Sequence, residues 1–196
     1  MSLIIGLTGP TGSGKSSASV AARKMGFKVI DCDKVARVAV EKGTKGLAAL
    51  VNAFGEDILN PDETLNRKAL AQKAFASSEK TNLLNKTLLP FISELVIKQA
   101  TGEFVLMDAP TLFESGMDSI CDFTVAVLAD EEIRLSRITE RDNIDEAAAR
   151  LRISAGKTEE FYKENADYII YNNKDENSFI SEFCDIINEI KGKINK

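Results

Sequence analysis

Residues 9–16 read GPTGSGKS, which matches the pattern G-x-x-x-x-G-K-[ST] at every fixed position. Glycines at these positions let successive backbone N–H groups turn inward around phosphate oxygens. A short apolar run precedes the stretch at residues 3–7, and a helical pattern follows it over residues 15–25. Because the N-terminus of that helix adds partial positive charge, the sequence predicts a phosphate-binding loop (P-loop) between a buried strand and a helix.

The P-loop also supplies candidate side chains for a bound nucleotide. Lys15 can reach the β- and γ-phosphates, and the hydroxyl group of Ser16 can ligate Mg²⁺, which prefers oxygen ligands. The candidates for nucleotide binding are Gly12, Ser13, Gly14, Lys15, Ser16 and Ser17. A glycine turn with no ligand is the alternative, and the flanking strand and helix argue against it.

Four further buried strands are predicted, at residues 27–30, 104–107, 123–128 and 168–171, and an amphipathic helix follows at residues 179–190. Short apolar strands separated by helices indicate an α/β fold with a five-stranded parallel sheet flanked by helices. We expect one P-loop NTPase fold over residues 1–196. Its predicted parts are a core (about 1–34, 103–133 and 166–196), a helical substrate-binding insertion (about 35–102) and an arginine-bearing lid (about 134–165).

The composition excludes several classes of protein and of site. The 196 residues include 30 acidic and 25 basic side chains, and the net charge of −5 argues against a protein that coats nucleic acid. Histidine is absent, so Ser-His-Asp triads, Cys-His pairs and histidine-ligated zinc are excluded. Any general base must therefore be a carboxylate, Lys, Tyr or Cys.

The cysteine pattern bears on the compartment. Cys32, Cys121 and Cys184 are widely spaced, which disfavours a disulfide framework and is typical of reduced thiols in a cytosol. The sequence shows no secretory leader and no apolar run long enough to span a membrane. We expect a cytoplasmic protein with no membrane partner.

A second candidate site is the segment Asp31-x-Asp33-x-x-x-Arg37. Both carboxylates fall at the carboxyl end of the second predicted strand, where open α/β sheets bind their ligands. A kinase that transfers a phosphoryl group to a hydroxyl needs one carboxylate near that hydroxyl. The alternative, that Asp33 only caps the next helix, stays open.

A third candidate is Asp108, at the end of the strand that precedes Pro110. An aspartate at this point resembles a Walker B acid, which acts on Mg²⁺ directly or through water. A turn residue at the end of a strand is the alternative. Ser16 and Asp108 are therefore the candidate metal ligands.

The lid contains five arginines. Arg134, Arg137 and Arg141 have a spacing that puts them on one helical face, and Arg150 and Arg152 follow them. In a phosphotransferase such arginines neutralise charge on the transferring phosphate, and we favour Arg141 first and Arg137 second. The alternative is a solvated surface helix, because glutamates are interleaved with these arginines.

Residues 173–176 read NKDE, close to the guanine-reading signature N-K-x-D, but the last position is Glu. Asp108 is also not followed by the glycine of a D-x-x-G switch, so a GTPase switch is disfavoured. Asn172 and Asn173 still follow the last predicted strand, where a loop can contact a nucleotide base, and we take Asn173 as the candidate. A plain turn is the alternative.

Together these segments resemble the dephospho-CoA kinase family. The resemblance covers residues 3–173, and its most specific elements are Asp31-x-Asp33-x-x-x-Arg37 and the stretch Leu112, Phe113 and Glu114. It implies ATP-dependent phosphorylation of the ribose 3′-hydroxyl of dephospho-CoA, with ATP and Mg²⁺ bound at the P-loop. It further implies that Asp33 is the catalytic base, that Arg37 and Leu112, Phe113 and Glu114 lie along the acceptor, and that Arg141 belongs to the lid.

The sequence departs from the family pattern at two positions. Leu89 stands where the family usually has His, and Gly156 stands where it usually has Gln. These changes bear on the acceptor, so another small-molecule or nucleoside-monophosphate kinase is an alternative, as is a nucleotide-binding regulatory module without activity. We expect the small molecules ATP and dephospho-CoA as partners, no nucleic acid, and a monomer or small homo-oligomer.

Overall fold

The computed structural model describes residues 2–194 and contains one five-stranded sheet. All its strand pairs are parallel, in the order β2-β3-β1-β4-β5. The strands are β1 (Leu3–Thr8), β2 (Lys28–Asp31), β3 (Phe104–Asp108), β4 (Phe123–Leu128) and β5 (Tyr168–Tyr171). The sequence prediction of an α/β fold with five parallel strands is confirmed, and each strand lies within one residue of its predicted bounds.

Nine helices are described within residues 2–194, and every connection between consecutive strands except that from β3 to β4 passes through at least one of them. They are α1 (Lys15–Lys24), α2 (Cys32–Ala39), α3 (Lys45–Phe54), α4 (Arg67–Ala74), α5 (Ser78–Gln99), α6 (Glu131–Asp142), α7 (Glu146–Ser154), α8 (Glu159–Asn165) and α9 (Glu176–Ile194). Short 3₁₀ turns lie at Glu56–Ile58 and Met117–Ile120. In this described part of the chain, no helix is long and apolar enough to cross a membrane.

Both faces of the sheet are covered by apolar helix faces. On one face α1 and α9 pack on β1, and the core there includes Phe179, Phe183 and Ile187, each at most 1% exposed. On the other face α2 and α5 pack on β3 through Val35, Ile92 and Val96. A sheet buried on both sides explains why its strands read as apolar runs without alternation.

The helical insertion and the lid each have a separate apolar cluster. Leu50, Phe54 and Ile58 form the centre of the insertion, with residues of α4 packed against them. In the lid, Leu135 and Ile138 of α6 contact Ala149 of α7. The lid is not one continuous helix, because Asn143 adopts φ 49° and ends α6.

The register of the sheet gathers the polar strand ends at one edge. Asp31 of β2 lies opposite Asp108 of β3, and Leu7 of β1 lies opposite the same Asp108. The P-loop follows β1, the central strand, at this edge. Carboxylates from two neighbouring strands therefore lie beside the loop, where open α/β sheets bind their ligands.

Candidate active site

Three glycines of the P-loop have backbone dihedral angles that other residues rarely adopt. Gly9, Gly12 and Gly14 have φ values of 140°, 79° and 96°, which L side chains rarely adopt. A Cβ atom on Gly9 would lie 2.1 Å from the carbonyl oxygen of Val127, and one on Gly14 would lie 2.1 Å from Nδ2 of Asn172. The loop is therefore pressed against the ends of β4 and β5.

Gly14→Ala is expected to weaken ATP binding about tenfold or more, since a left-handed Ala costs about 1–2 kcal/mol and the new methyl group also displaces Asn172. Calorimetric titration with ATP measures the loss. Gly43→Ala is the matched control, because Gly43 has φ 84° with no atom within 4 Å of the added Cβ. Equal ATP affinity in both variants would show that the contact between residue 14 and Asn172 does not contribute to ATP binding.

Side chains from the lid and from β5 hold the P-loop from its outer side. Arg137 donates to the carbonyl oxygens of Gly12 and Ser13 at 3.4 and 3.3 Å, and Asn172 Nδ2 donates to the same Ser13 oxygen at 2.9 Å. Arg134 Nε donates to the carbonyl oxygen of Thr11 at 2.9 Å. Because the C=O and N–H of a trans peptide point in opposite directions, bonding the carbonyls outward directs the N–H groups inward.

Arg137 and Asn172 also bond each other. Arg137 NH2 donates to the backbone and side-chain oxygens of Asn172 at 3.1 and 3.3 Å. Asn172 is 5% exposed and both its side-chain nitrogen and its side-chain oxygen are hydrogen-bonded, whereas Asn173 is exposed and exchanges hydrogen bonds with Asp130. The asparagine that contacts the P-loop is therefore Asn172, which the sequence analysis had not chosen. Asn173 as a base contact stays a prediction.

Lys15 begins α1 and folds back over the loop. Its ammonium group donates to the carbonyl oxygens of Gly9 and Pro10 at 2.6 and 3.4 Å. Burial lowers the pKa of Lys15, an effect that the charges of Asp108 and Asp33 oppose. The side chain is thus held at the loop, and Asp108 exerts the larger of the two opposing carboxylate effects on it.

A cavity of about 610 Å³ opens over the loop. Loop backbone from Gly9 to Gly14 forms its floor, and the lid forms its far wall. Five cationic side chains line it against two carboxylates: Lys15, Arg137, Arg141, Arg152 and Lys157, with Asp108 and Glu114. This charge balance fits a polyanionic ligand with room for a cation beside it.

Asp108 lines the cavity and is oriented by a residue that the sequence analysis missed. The buried Ser19 of α1 donates its hydroxyl to Asp108 Oδ2 at 2.7 Å. Burial raises the pKa of Asp108, while the Ser19 hydrogen bond and Lys15 lower it. Ser19 lies one helical turn after Ser16, on the face of α1 toward the sheet, and its helical spacing is the only sequence signal for it.

The structure separates the roles of Asp31 and Asp33. Asp31 Oδ1 accepts from the backbone N–H of Lys34 at 3.0 Å, so Asp31 is the N-cap of α2. Asp33 lies in the first turn of α2, is exposed, and does not cap the helix. The capping alternative weighed for Asp33 is therefore wrong. Asp33 and Arg37 are both exposed on α2 and lie outside the lining of the cavity.

The predicted acceptor residues 112–114 diverge in position. Leu112 is fully buried and packs against Gly6 in the core, so it contributes packing here and presents no surface to a ligand. Phe113 is half-buried and meets Phe161 edge-on, with ring centroids 5.9 Å apart. Glu114 lines the cavity, and its backbone oxygen accepts from Asn85 Nδ2 at 2.7 Å.

The remaining predicted nucleotide residues also differ in position. Ser16 is exposed and lines the cavity, whereas the Ser13 hydroxyl is buried away from it, with no hydrogen-bond partner in the described part of the chain. The hydroxyl of Ser17 donates to Glu176 Oε1 at 3.0 Å. In the lid, Arg141 lines the cavity, and Arg152 and Lys157 join it there. The sequence analysis had placed Arg152 among the lid arginines without favouring it, and had not assigned Lys157 to a site.

Comparison with known proteins identifies the family to which this sequence is similar. A family model described as dephospho-CoA kinase matches residues 3–177. The dephospho-CoA kinase of Corynebacterium efficiens is 44% identical over 177 residues, covering 87% of this chain and 88% of the relative. That of Vibrio parahaemolyticus is 35% identical over 190 residues, covering 95% of this chain and 93% of the relative.

Solved structures give the same result. The dephospho-CoA kinase from Campylobacter jejuni superimposes with a TM-score of 0.66 at 26% identity, covering 98% of this chain and 100% of that one. A shikimate kinase from Acinetobacter baumannii, at 16% identity and TM-score 0.57, covers 100% of this chain and 97% of its own and shares the fold alone. The P-loop, the cationic cavity and these matches agree, and the chain belongs to the dephospho-CoA kinase family.

Proposed function

We propose that this protein transfers the γ-phosphoryl group of ATP to the ribose 3′-hydroxyl of dephospho-CoA, giving CoA and ADP. The observation that carries the proposal is the cavity over the P-loop, in which Lys15 and three arginines face one space. Phosphoryl transfer needs little covalent help from a protein, so catalysis depends on positioning and on neutralising charge. A cavity of this charge, in a chain of this family, supports that reaction.

The proposed reaction assigns one task to each group. The backbone N–H groups of Gly12, Ser13 and Gly14 bind the phosphates, with Ser16 and Ser17 at the start of α1 beside them. Lys15 and Arg141 stabilise charge on the transferred group. The carboxylate of Asp33 accepts the proton of the 3′-hydroxyl. The ribose 3′-oxygen then bonds to the γ-phosphorus as the bond between that phosphorus and the leaving oxygen of ADP breaks.

Magnesium fits the residues proposed to hold it. Among residues 2–194, no cluster of three or more metal-ligating side chains occurs, but Mg²⁺ in such sites keeps several waters and is bound by one or two protein oxygens plus substrate phosphates. The hydroxyl of Ser16 and the carboxylate of Asp108 line the same cavity and offer those oxygens. When bound, the ion would neutralise phosphate charge.

The environment of Asp108 predicts a pH effect. The task proposed for Asp108 needs its charged form, and burial raises its pKa, so activity is lost as the pH falls through that raised value. Ser19→Ala removes a hydrogen bond that lowers this pKa, so the acid limb of the kcat/KM profile, which reports groups of the free enzyme, is expected to move to higher pH. Profiles of both proteins with the same substrates provide the measurement. Superimposable acid limbs would contradict a catalytic task for Asp108.

The acceptor side is proposed to run from Asp33 toward the insertion and the lid. Arg37 and Glu114, with Phe113 beside them, would contact dephospho-CoA. The two departures from the family pattern, Leu89 and Gly156, are compatible with an acceptor site at this position. Leu89 is partly buried against the core close to Gly116, while Gly156 lines the cavity without a side chain.

A cytoplasmic location and a monomer or small homo-oligomer remain part of the proposal. So does the division of tasks among core, insertion and lid. Three free thiols fit a reducing compartment.

Release of ADP from ATP and Mg²⁺ tests the proposed function. Dephospho-CoA is offered against AMP, adenosine and no acceptor, and the product is identified by mass. ADP release that depends on dephospho-CoA, with formation of CoA, is the expected result. Release with a different acceptor would keep the chemistry and change the substrate. Tight ATP binding without release for any acceptor would overturn the enzyme assignment for these substrates.

A further inference from the structure

Two arginines of the lid meet at one carboxylate, that of Asp142. Arg141 Nε and NH2 donate to Asp142 Oδ1 and Oδ2 at 2.7 and 2.9 Å, a bidentate pair. Arg152 NH1 donates to the same Oδ2. The Asp142 side chain is 21% exposed, against 61% for Arg141 and 51% for Arg152. The carboxylate of Asp142 is therefore the least exposed of the three side chains.

This contact joins two helices across the break in the lid. Asp142 is the last residue of α6, and Arg152 belongs to α7. Residues 143–145 link these helices, with Asn143 in a left-handed conformation and Asp145 capping α7 through the N–H of Ala148 at 2.7 Å. The link has its own local geometry, so Asp142 is not needed to end one helix or to begin the next.

Both arginines that Asp142 holds line the cavity that contains Lys15. A bidentate guanidinium–carboxylate pair fixes the plane of the guanidinium group as well as its position. The hydrogen bond from Arg141 and the charge of Arg152 lower the pKa of Asp142, so it carries its charge at neutral pH. Without this carboxylate, two like charges on flexible side chains would repel each other at the cavity wall.

We propose that Asp142 is a positioning residue that holds Arg141 and Arg152 together over the phosphate cavity. The transferring phosphoryl group then meets two guanidinium groups already oriented toward it, and donors that need no reorganisation stabilise a transition state more than mobile ones do. This inference rests on the proposed phosphoryl transfer.

Arg150 provides a matched control on the same helix. Its guanidinium group pairs with Glu131, Glu132 and Glu146, and it lies outside the lining of the cavity over the P-loop. Arg150→Ala therefore removes three ion pairs of the lid and leaves the arginines over the cavity in place.

The test compares Asp142→Asn with Asp142→Glu. Asn keeps the shape and removes the charge, and kcat is expected to fall about tenfold or more while the KM for ATP changes little. Glu restores the carboxylate and is expected to recover part of kcat. Arg150→Ala is expected to keep the wild-type kcat. Because Asp142 acts through Arg152 as well as Arg141, Asp142→Asn should cost less in an Arg152→Ala background than in the wild type.

A second readout needs no acceptor. The affinity for ADP with aluminium fluoride, a mimic of the transferring phosphoryl group, is expected to fall about tenfold in Asp142→Asn, while the affinity for ADP alone stays unchanged. This loss would be seen even if dephospho-CoA proved not to be the acceptor. A kcat within twofold of wild type overturns the inference, as does an equal loss in the Asn and Glu variants with a lower melting temperature.

Discussion

Lys15→Ala is expected to reduce turnover by on the order of 10³-fold and to weaken ATP binding, because it removes the ammonium group held over the P-loop. Burial already lowers the pKa of this group, and the charge of Asp108 opposes that shift most strongly. The variant therefore loses a partly buried cation that lines the cavity proposed to bind the phosphates. Single-turnover rates with ATP and dephospho-CoA, together with calorimetric titration of ATP, measure the two effects.

Lys24→Ala is the control for this prediction. Lys24 is exposed at the other end of the same helix α1, in its last turn, so its removal tests any effect of losing a lysine from that helix. We expect wild-type kinetics and an unchanged melting temperature. A Lys15→Ala enzyme that kept a rate within tenfold of wild type would show that the cavity arginines suffice without it.

Asp33→Asn is expected to lower kcat about 100-fold while ATP binding stays nearly intact, since a positioned acid–base group contributes about 10²–10⁴-fold. The reason is structural as well as chemical. Asp33 neither caps α2 nor lines the cavity over the P-loop, so its replacement disturbs neither the helix nor the nucleotide. Steady-state kcat and calorimetric ATP affinity separate catalysis from binding.

Asp31→Asn is the matched control, with the same chemical change two residues away. Asn is as good an N-cap as Asp, so the cap of α2 and the stability should be retained. We expect kcat to stay close to wild type. If Asp33→Asn keeps a near-normal kcat, or if both variants lose activity equally, Asp33 is not the base.

The sequence was sufficient to predict the P-loop and the strands because both are signalled locally. Glycines at fixed spacing and apolar runs that end in Asp31 and Asp108 need no knowledge of distant residues. The bounds of the five strands could therefore be predicted to within one residue. The same local reasoning identified Asp33 as a candidate, although only the structure excluded its capping role, by giving that role to Asp31.

The contacts that hold the site are non-local, and sequence patterns do not contain them. Ser19 and Asp108 are 89 residues apart, and Asn172 and Ser13 are 159 apart. Each pair meets only because the parallel strands of one sheet end at the same edge: Asp108 ends β3 and Asn172 follows β5. Leu112 shows the opposite error, a site residue expected from sequence that the fold does not place at the site. The family resemblance implied a position along the acceptor, but Leu112 is buried in the core.

The anchoring of α6 to the P-loop determines which part of the lid can move. Arg134 and Arg137 tie this helix to the carbonyl oxygens of Thr11, Gly12 and Ser13. A hinge at the base of α6 would break these bonds and release the loop carbonyls, whereas rotation about Asn143 leaves them intact. Within the lid, α6 is therefore the helix coupled to the phosphate-binding loop, and α7, on the far side of Asn143, is the helix whose displacement would leave that loop unchanged.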